Sequence, residues 1–374
     1  MAAKLLLGEQ QAVRMLLVRG SGEGKELQVQ YCRGHWRFFN CEGSKCKERR
    51  LLALFVKTKL VLRGISSNTS ATKYTSPPLL STLRVRAMVG LSEGERRFIR
   101  GGIAQDLRSD GRRRLQYRPI SVQTGVIPQA NGSARVRLGA TDVIATIKAE
   151  LGKPSLLQPD KGKVSIHVDC SPTAAPMFEG RGGEELSSEL SLALERCLLG
   201  GKSGAGAAID LSSLIVLDGK VCWDLYIDGL VISSDGNLLD TLADAIKVAL
   251  SNTGIPKVNI VYDASPDDQP EVDVSDEEFL QFDTSGVPVV ITLTKVGKHY
   301  IVDATAEEES QMSSAVSVSV NRNGQICGLI KRGGTGLDPS VILDMISVAK
   351  HISKELISML DSEIAAAEAS DDES

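Results

Sequence analysis

Metal-ligand spacing and long apolar runs are both missing from this 374-residue chain. Its four histidines, His35, His167, His299 and His351, lie far apart and suggest neither a ligand set nor a catalytic triad. The seven cysteines form no CxxC pair, and their odd number argues against a secreted disulfide framework. Reduced thiols in a nuclear or cytosolic compartment fit better. The longest apolar stretch near the start, Leu51 to Leu62, is broken by Lys57 and Lys59 and is too short to span a bilayer. No metal, cofactor or membrane role is indicated. Acid is absent from Ile65 to Ala87, which is rich in Ser, Thr, Pro and basic residues, as an organelle-targeting segment would be. The segment before it contains Glu9, Glu23, Glu26, Glu42 and Glu48, which favours the alternative that Met88 is the working start.

What is present is an ordinary globular composition, 42% hydrophobic and 24% charged, enough to bury one large or two small cores. The net charge of −4 hides a step. Residues 1–87 hold 16 Lys/Arg against 5 Asp/Glu, whereas the rest hold 27 against 42. Two segments of different duty therefore join near Met88. The basic leader, 1–87, is read as disordered or absent from the mature protein. Residues 88–263 and 286–367 form two halves, separated by an acidic, solvated loop over 264–285. The acidic tail 368–374 is read as disordered.

Ser92 and Glu95 have the spacing of a capping box, so a helix follows. Lys163 to Cys170 alternates, with Val164, Ile166, Val168 and Cys170 on one face. Glu184 to Leu199 and Asn237 to Leu250 have helical periodicity. Ser213 to Leu217 and Val221 to Ile232 are strands joined by an Asp218-Gly219 turn, and Val258 to Tyr262 is a further strand. In the second half four short strands precede a long helix opened by Pro339. Strands then helix, twice over, argue an α+β architecture with a pseudo-repeat.

The most informative stretch is Asp106 to Leu151. It runs Asp110-Gly111-Arg112, then Arg118-Pro119, then Gly132-Ser133 opening a strand that carries Arg135 and Arg137 outward, then Gly139-Ala140-Thr141-Asp142. This order resembles the first module of the RNase PH family, which contains the subunits of the RNA exosome ring. A second block, Leu225 to Ala245, keeps the family's Asp-Gly step as Asp235-Gly236. Where active relatives carry a Thr-Arg-Thr-type run near phosphate, this chain has Asn237-Leu238-Leu239-Asp240. That form is similar to the non-catalytic ring subunits of the ribosomal-RNA-processing protein 42 type. Asp235 itself reads as a turn carboxylate capping the following helix.

The third block, Phe178 to Arg196, places Leu186-Ser187 where active relatives have Arg beside Ser or Thr, and adds Glu184 and Glu185 at the helix start. Carboxylates there stabilise the helix and repel phosphate. The family's phosphate site is thus expected to be degenerate at Leu186, Ser187, Asp235, Leu239 and Asp240, with no catalytic residue of its own. The block Asp303-Ala304-Thr305 followed by Glu307-Glu308-Glu309 resembles the family's D-P-T-x-x-E-E block with Ala304 replacing Pro, and its glutamates fit an inter-subunit contact or, as the simpler reading, a solvated face.

The resemblance spans about Glu93 to Leu360. It implies an RNase PH-like fold of two β/α pseudo-repeats, similar to ribosomal protein S5 domain 2, with a long C-terminal helix. It further implies a structural, RNA-contacting ring subunit of nucleus, nucleolus and cytoplasm. Its partners would be other RNase PH-like ring subunits, cap proteins and RNA. Arg181, Arg196, Arg135 and Arg137 are the candidate RNA contacts, since backbone recognition needs positive charge along a groove. The alternative is an active phosphate-dependent 3′-to-5′ exoribonuclease. Gly200-Gly201-Lys202-Ser203 lacks the upstream glycine of a P-loop and reads as a connector. A sugar-kinase reading lacks its phosphate loop, because Gly204-Ala205-Gly206-Ala207-Ala208 has no hydroxyls.

Overall fold

Period-two alternation in the leader, such as Leu27, Val29 and Tyr31, is a strand signal that its basic charge obscures. In the computed structural model the unit Met1–Thr75 holds five strands. They are β1 (Ala3–Leu7), β2 (Ala12–Leu17), β3 (Lys25–Cys32), β4 (His35–Glu42) and β5 (Lys45–Glu48), an antiparallel meander in chain order. The expectation of a leader without order is corrected to this extent. Beyond the backbone of these strands, the structure describes residues 90–200, 208–261 and 271–371. The connector at 201–207 lies outside the described residues.

The unit Ser76–Ser374 begins its described part with α1 (Glu93–Ala104). Its capping box forms as the spacing requires: Ser92 Oγ accepts from Glu95 N–H, and Glu95 accepts from Ser92 N–H at 2.7 Å. Six strands make the first sheet: β6 (Ile120–Thr124), β7 (Gly132–Leu138), β8 (Thr141–Gly152), β9 (Lys163–Cys170), β10 (Ile215–Leu217) and β11 (Val221–Ser233). Their order is β10-β11-β8-β7-β6, with β9 running parallel to β11. Asp218-Gly219 makes the β10–β11 turn, with Gly219 at φ +70°. Between β9 and β10 lies α2 (Gly182–Leu198), which packs on β9.

Following β11, α3 (Leu238–Ser251) passes between the first sheet and the second. Leu239 through Leu250 are buried without interruption, so even its polar positions face protein. The second sheet, in the order β15-β14-β16-β17, comprises β14 (Val289–Val296), β15 (His299–Val302), β16 (Ser314–Val320) and β17 (Ile326–Arg332). α4 (Ala306–Ser310) lies between β15 and β16. α5 (Pro339–Asp371) covers β14 and β16 through Met345, Ala349, Ile352, Leu356 and Leu360. Sheet plus helix thus occurs twice, and most of the core is shared between the halves.

Two boundaries are corrected. The acidic segment 264–285 is not a loop throughout. Glu271–Gln281 forms β13, paired antiparallel with β12 (Gly254–Val261), while 262–270 lie outside the described residues. Glu-Val-Asp-Val alternation supplies the strand period, which the charge count obscured. The tail is helical through Asp371, because the alanines at 365–367 propagate α5. Residues 372–374 lie outside the described residues.

Candidate functional site

The arginine-rich segment after α1 folds inward. Gly111, at φ +86°, turns the chain so that Arg112 N–H and Nε both donate to the Asp110 carboxylate. Arg108, Arg112 and Arg118 are each less than a tenth exposed. All three meet the stretch Val302 to Glu308 in the second half. Arg108 pairs with Glu308 through Nε at 2.9 Å and through Nη2, and it also donates to the carbonyls of Val302 and Asp303. Arg112 Nη1 reaches Asp303 Oδ2 at 2.8 Å. Arg118 donates its main-chain N–H and Nε to Oδ2 and its Nη2 to Oδ1 of the same carboxylate. Burial pushes the Asp303 carboxyl up, and the Arg118 and Arg112 guanidiniums bring it below the usual range.

The Asp-Gly-Arg and Arg-Pro motifs of the first half are therefore structural partners of the Asp-Ala-Thr-x-x-Glu-Glu motif of the second. The reading of Glu307 to Glu309 as a solvated face is corrected. Glu307 is exposed, but Glu308 is 1% exposed and holds Arg108, and Glu309 turns toward α3. A capping box at Thr305 and Glu308 fixes α4 in this orientation.

Asp235 does not cap α3. Its carboxylate accepts from Arg118 Nη1 at 3.2 Å and from Ala306 N–H, the first residue of α4, at 3.3 Å. The intervening Gly236 sits at φ +77°, where a Cβ would lie 2.5 Å from the Ala304 carbonyl, so only glycine allows this approach. α3 starts at Asn237, in the left-handed region at φ 54° and without a side-chain cap, because its amide donates to Asp303 Oδ1 at 3.1 Å. The Asn237 backbone N–H donates to Glu309 Oε1 at 3.0 Å.

The other residues of the degenerate site do not line a common opening. Leu239 is 1% exposed and belongs to the main core. Asp240 is fully buried and accepts from Thr292 N–H at 2.8 Å and Thr292 Oγ at 2.5 Å. It pins α3 to β14 and faces no solvent, which corrects its placement as a carboxylate lining the site. Burial pushes its carboxyl up to about 7 against the Thr292 bonds. Leu186 packs against the main core, and Ser187 is buried beside Cys170. The sequence reading missed Arg332, at the end of β17. It is a cation acting on Glu189, Asp240 and, together with Arg118, Glu309, and its buried Nε has no hydrogen-bond partner among the described residues. A lone arginine at a strand end gives no periodic signal that could have identified it.

Arg135 and Arg137 extend from the outward face of β7, and both pair with Asp142 across the β7–β8 turn. Arg135 does so through Nε at 2.9 Å and Nη2 at 2.6 Å, Arg137 through Nε at 2.9 Å. Arg181 is the exposed N-cap of α2, after Gly180 at φ +68°. Arg196 is exposed in the last turn of the same helix, where its charge complements the dipole. The two lie at opposite ends of α2. No group of His, Cys, Asp and Glu among the described residues could hold a metal ion. Among those residues no helix is long and apolar enough to cross a membrane.

Residues 116–256 match domain 1, and residues 286–352 domain 2, of the 3′ exoribonuclease family. The chain is 34% identical over 316 residues to a putative exosome complex exonuclease RRP42 of Dictyostelium discoideum, covering 73% of this chain and 98% of that protein. It is 33% identical to the exosome complex component Rrp42 of Methanopyrus kandleri, covering 71% and 95%. A similar solved structure is a chain of the Archaeoglobus fulgidus exosome with RNA bound to the active site. Its TM-score is 0.58 and its identity 28%, with 70% of this chain and 96% of that one covered. A chain of an archaeal exosome core gives a TM-score of 0.56 at 27% identity, covering 71% and 96%.

Proposed function

This chain belongs to the RNase PH family of 3′ exoribonucleases, and we propose that it is a structural, RNA-contacting subunit of an exosome-type core ring. In this role it supports 3′-to-5′ RNA processing and degradation without performing phosphorolysis itself. The observation that carries the second part is the state of the two helix starts where active relatives hold phosphate. At α3, Asp240 is committed to Thr292, Leu239 is in the core, and the N-cap N–H is taken by Glu309. At α2, Glu184 and Glu185 occupy the first turn and Leu186 packs inward. A phosphate entering either place would meet carboxylates and would lack the Arg and Thr donors that Leu186, Leu239 and Asp240 replace.

The partners in this reading are other RNase PH-like subunits, cap proteins and RNA. Arg181 and Arg196 are unpaired among the described residues and are the better RNA contacts. Arg135 and Arg137 would contact RNA while sharing Asp142. The proposed sites of action are the nucleus, including the nucleolus, and the cytoplasm. Residues 1–87 are proposed to be dispensable for assembly, because the family match begins well after them.

The test is co-expression with RNase PH-like partner subunits, followed by native mass spectrometry. Six-membered rings containing one or more copies of this chain are expected, with the same subunit stoichiometry when the chain starts at Met88. A chain that remains outside every ring formed by such partners would overturn the reading.

A further inference from the structure

The N-terminus of α3 already holds an oxygen acceptor. A helix start concentrates unpaired N–H groups and the positive end of the dipole, the feature by which proteins bind phosphate. Here the acceptor is a carboxylate from the other half of the unit, Glu309 Oε1 on the Asn237 N–H at 3.0 Å. The Asn237 side chain is turned away to Asp303, so no side-chain cap competes. Arg332 acts electrostatically on Glu309, and its buried Nε lacks a hydrogen-bond partner among the described residues.

Glu309 does not arrive there by chance rotation. The capping box of α4 uses Thr305 and Glu308, Arg108 grips Glu308, and Asp235 takes the Ala306 N–H. Three restraints on a five-residue helix leave its next carboxylate aimed at α3. Burial outweighs the opposing Arg332, Asn237 N–H and Arg118 and holds the Glu309 carboxyl above its usual range.

We infer that Glu309 is an internal substitute for phosphate, seated at the α3 N-terminus and closing the degenerate site to inorganic phosphate. The site is occupied by the chain's own carboxyl group, so the loss of Arg and Thr donors at Leu239 and Asp240 is only part of its inactivation. A phosphate could enter only by displacing Glu309 and leaving a carboxylate beside it. The inference rests on the reading that this chain performs no phosphorolysis.

The experiment uses the full chain, with inorganic phosphate as the probe and potassium chloride of equal ionic strength as the control. The wild-type Tm should respond to both salts alike. Glu309→Ala should acquire a saturable, phosphate-specific rise of roughly 2–4 °C once phosphate exceeds its Kd about fivefold. Glu309→Ala combined with Arg332→Ala should lose that rise. A folded Glu309→Ala protein that gains nothing, or a wild type that phosphate stabilises specifically, overturns the inference. Should Glu309→Ala not fold, Glu309→Gln keeps the shape and removes the charge. A weaker response of the same sign supports the inference, and none overturns it. Phosphate bound by the wild type without release of nucleoside diphosphates from RNA would overturn this inference alone and leave the ring-subunit reading intact.

Discussion

Arg118 and Asp303, 185 residues apart, are joined by a main-chain N–H at 2.8 Å, Nε at 2.9 Å and Nη2 at 2.7 Å. Asp303 is fully buried, and the same carboxylate also takes Arg112 and Asn237. Removing it leaves two buried guanidiniums without their buried counter-ion, with only the more exposed Asp110 and Asp235 still paired to them. Asp303→Ala should therefore cost about 3–5 kcal/mol, as breaking a buried pair does. Urea denaturation of the unit starting at Met88 measures it. A loss below about 1 kcal/mol, the range of an exposed pair, would show that the two halves are held together by other contacts.

The buried carboxylates set a pH dependence with two signs. Asp240 is raised to about 7 by burial, whereas an unfolded Asp titrates near about 3.9. Between these values the unfolded chain releases a proton that the folded chain keeps. Stability from this group is therefore complete below about pH 4 and is lost as pH rises toward 7. Asp303 has the opposite sign: its pKa is lowered, so its contribution is present above the unfolded value and lost as pH falls through the folded one. Tm should accordingly peak at about pH 4–5 and decline toward neutrality. Asp240→Asn should flatten that decline. A variant whose profile runs parallel to the wild type would contradict the assignment.

Much of the fold was legible because it rests on local periodicity. Lys163 to Cys170, the Asp218-Gly219 turn, the Ser92 capping box and the Pro339 helix all form where their patterns place them. The acidic segment was misread because charge density masked the alternation of Glu271 to Val274. The site was legible only as absences. That Arg108, Arg112 and Arg118 face Asp303 and Glu308 is a long-range pairing, and no spacing along the chain encodes it. Glu309 was hidden by its neighbours, since three successive glutamates on a short helix look solvated until the direction of each is known. Arg332 gave no pattern at all.

Arg181 offers a test of RNA engagement. It is exposed, flanked by glycine and unpaired among the described residues. In assembled rings, Arg181→Ala should weaken binding about equally across RNA sequences and reduce the salt slope by roughly 0.7–1 unit. Titrations at several salt concentrations, with ring mass checked first, read the change. An unchanged slope in intact rings would return Arg181 to the status of a loop residue, and a sequence-selective loss would imply base contacts.

The central claim is that this chain has kept the family's fold and lost its chemistry. The most direct measurement is the release of nucleoside diphosphates from RNA by the purified chain in saturating inorganic phosphate, together with the reverse extension of RNA by nucleoside diphosphates. The account requires neither, since Glu309 takes the α3 N-cap N–H while Leu239 and Asp240 are buried and offer phosphate no donor. Phosphate-dependent release by the chain alone, abolished by Asp235→Asn, would contradict it.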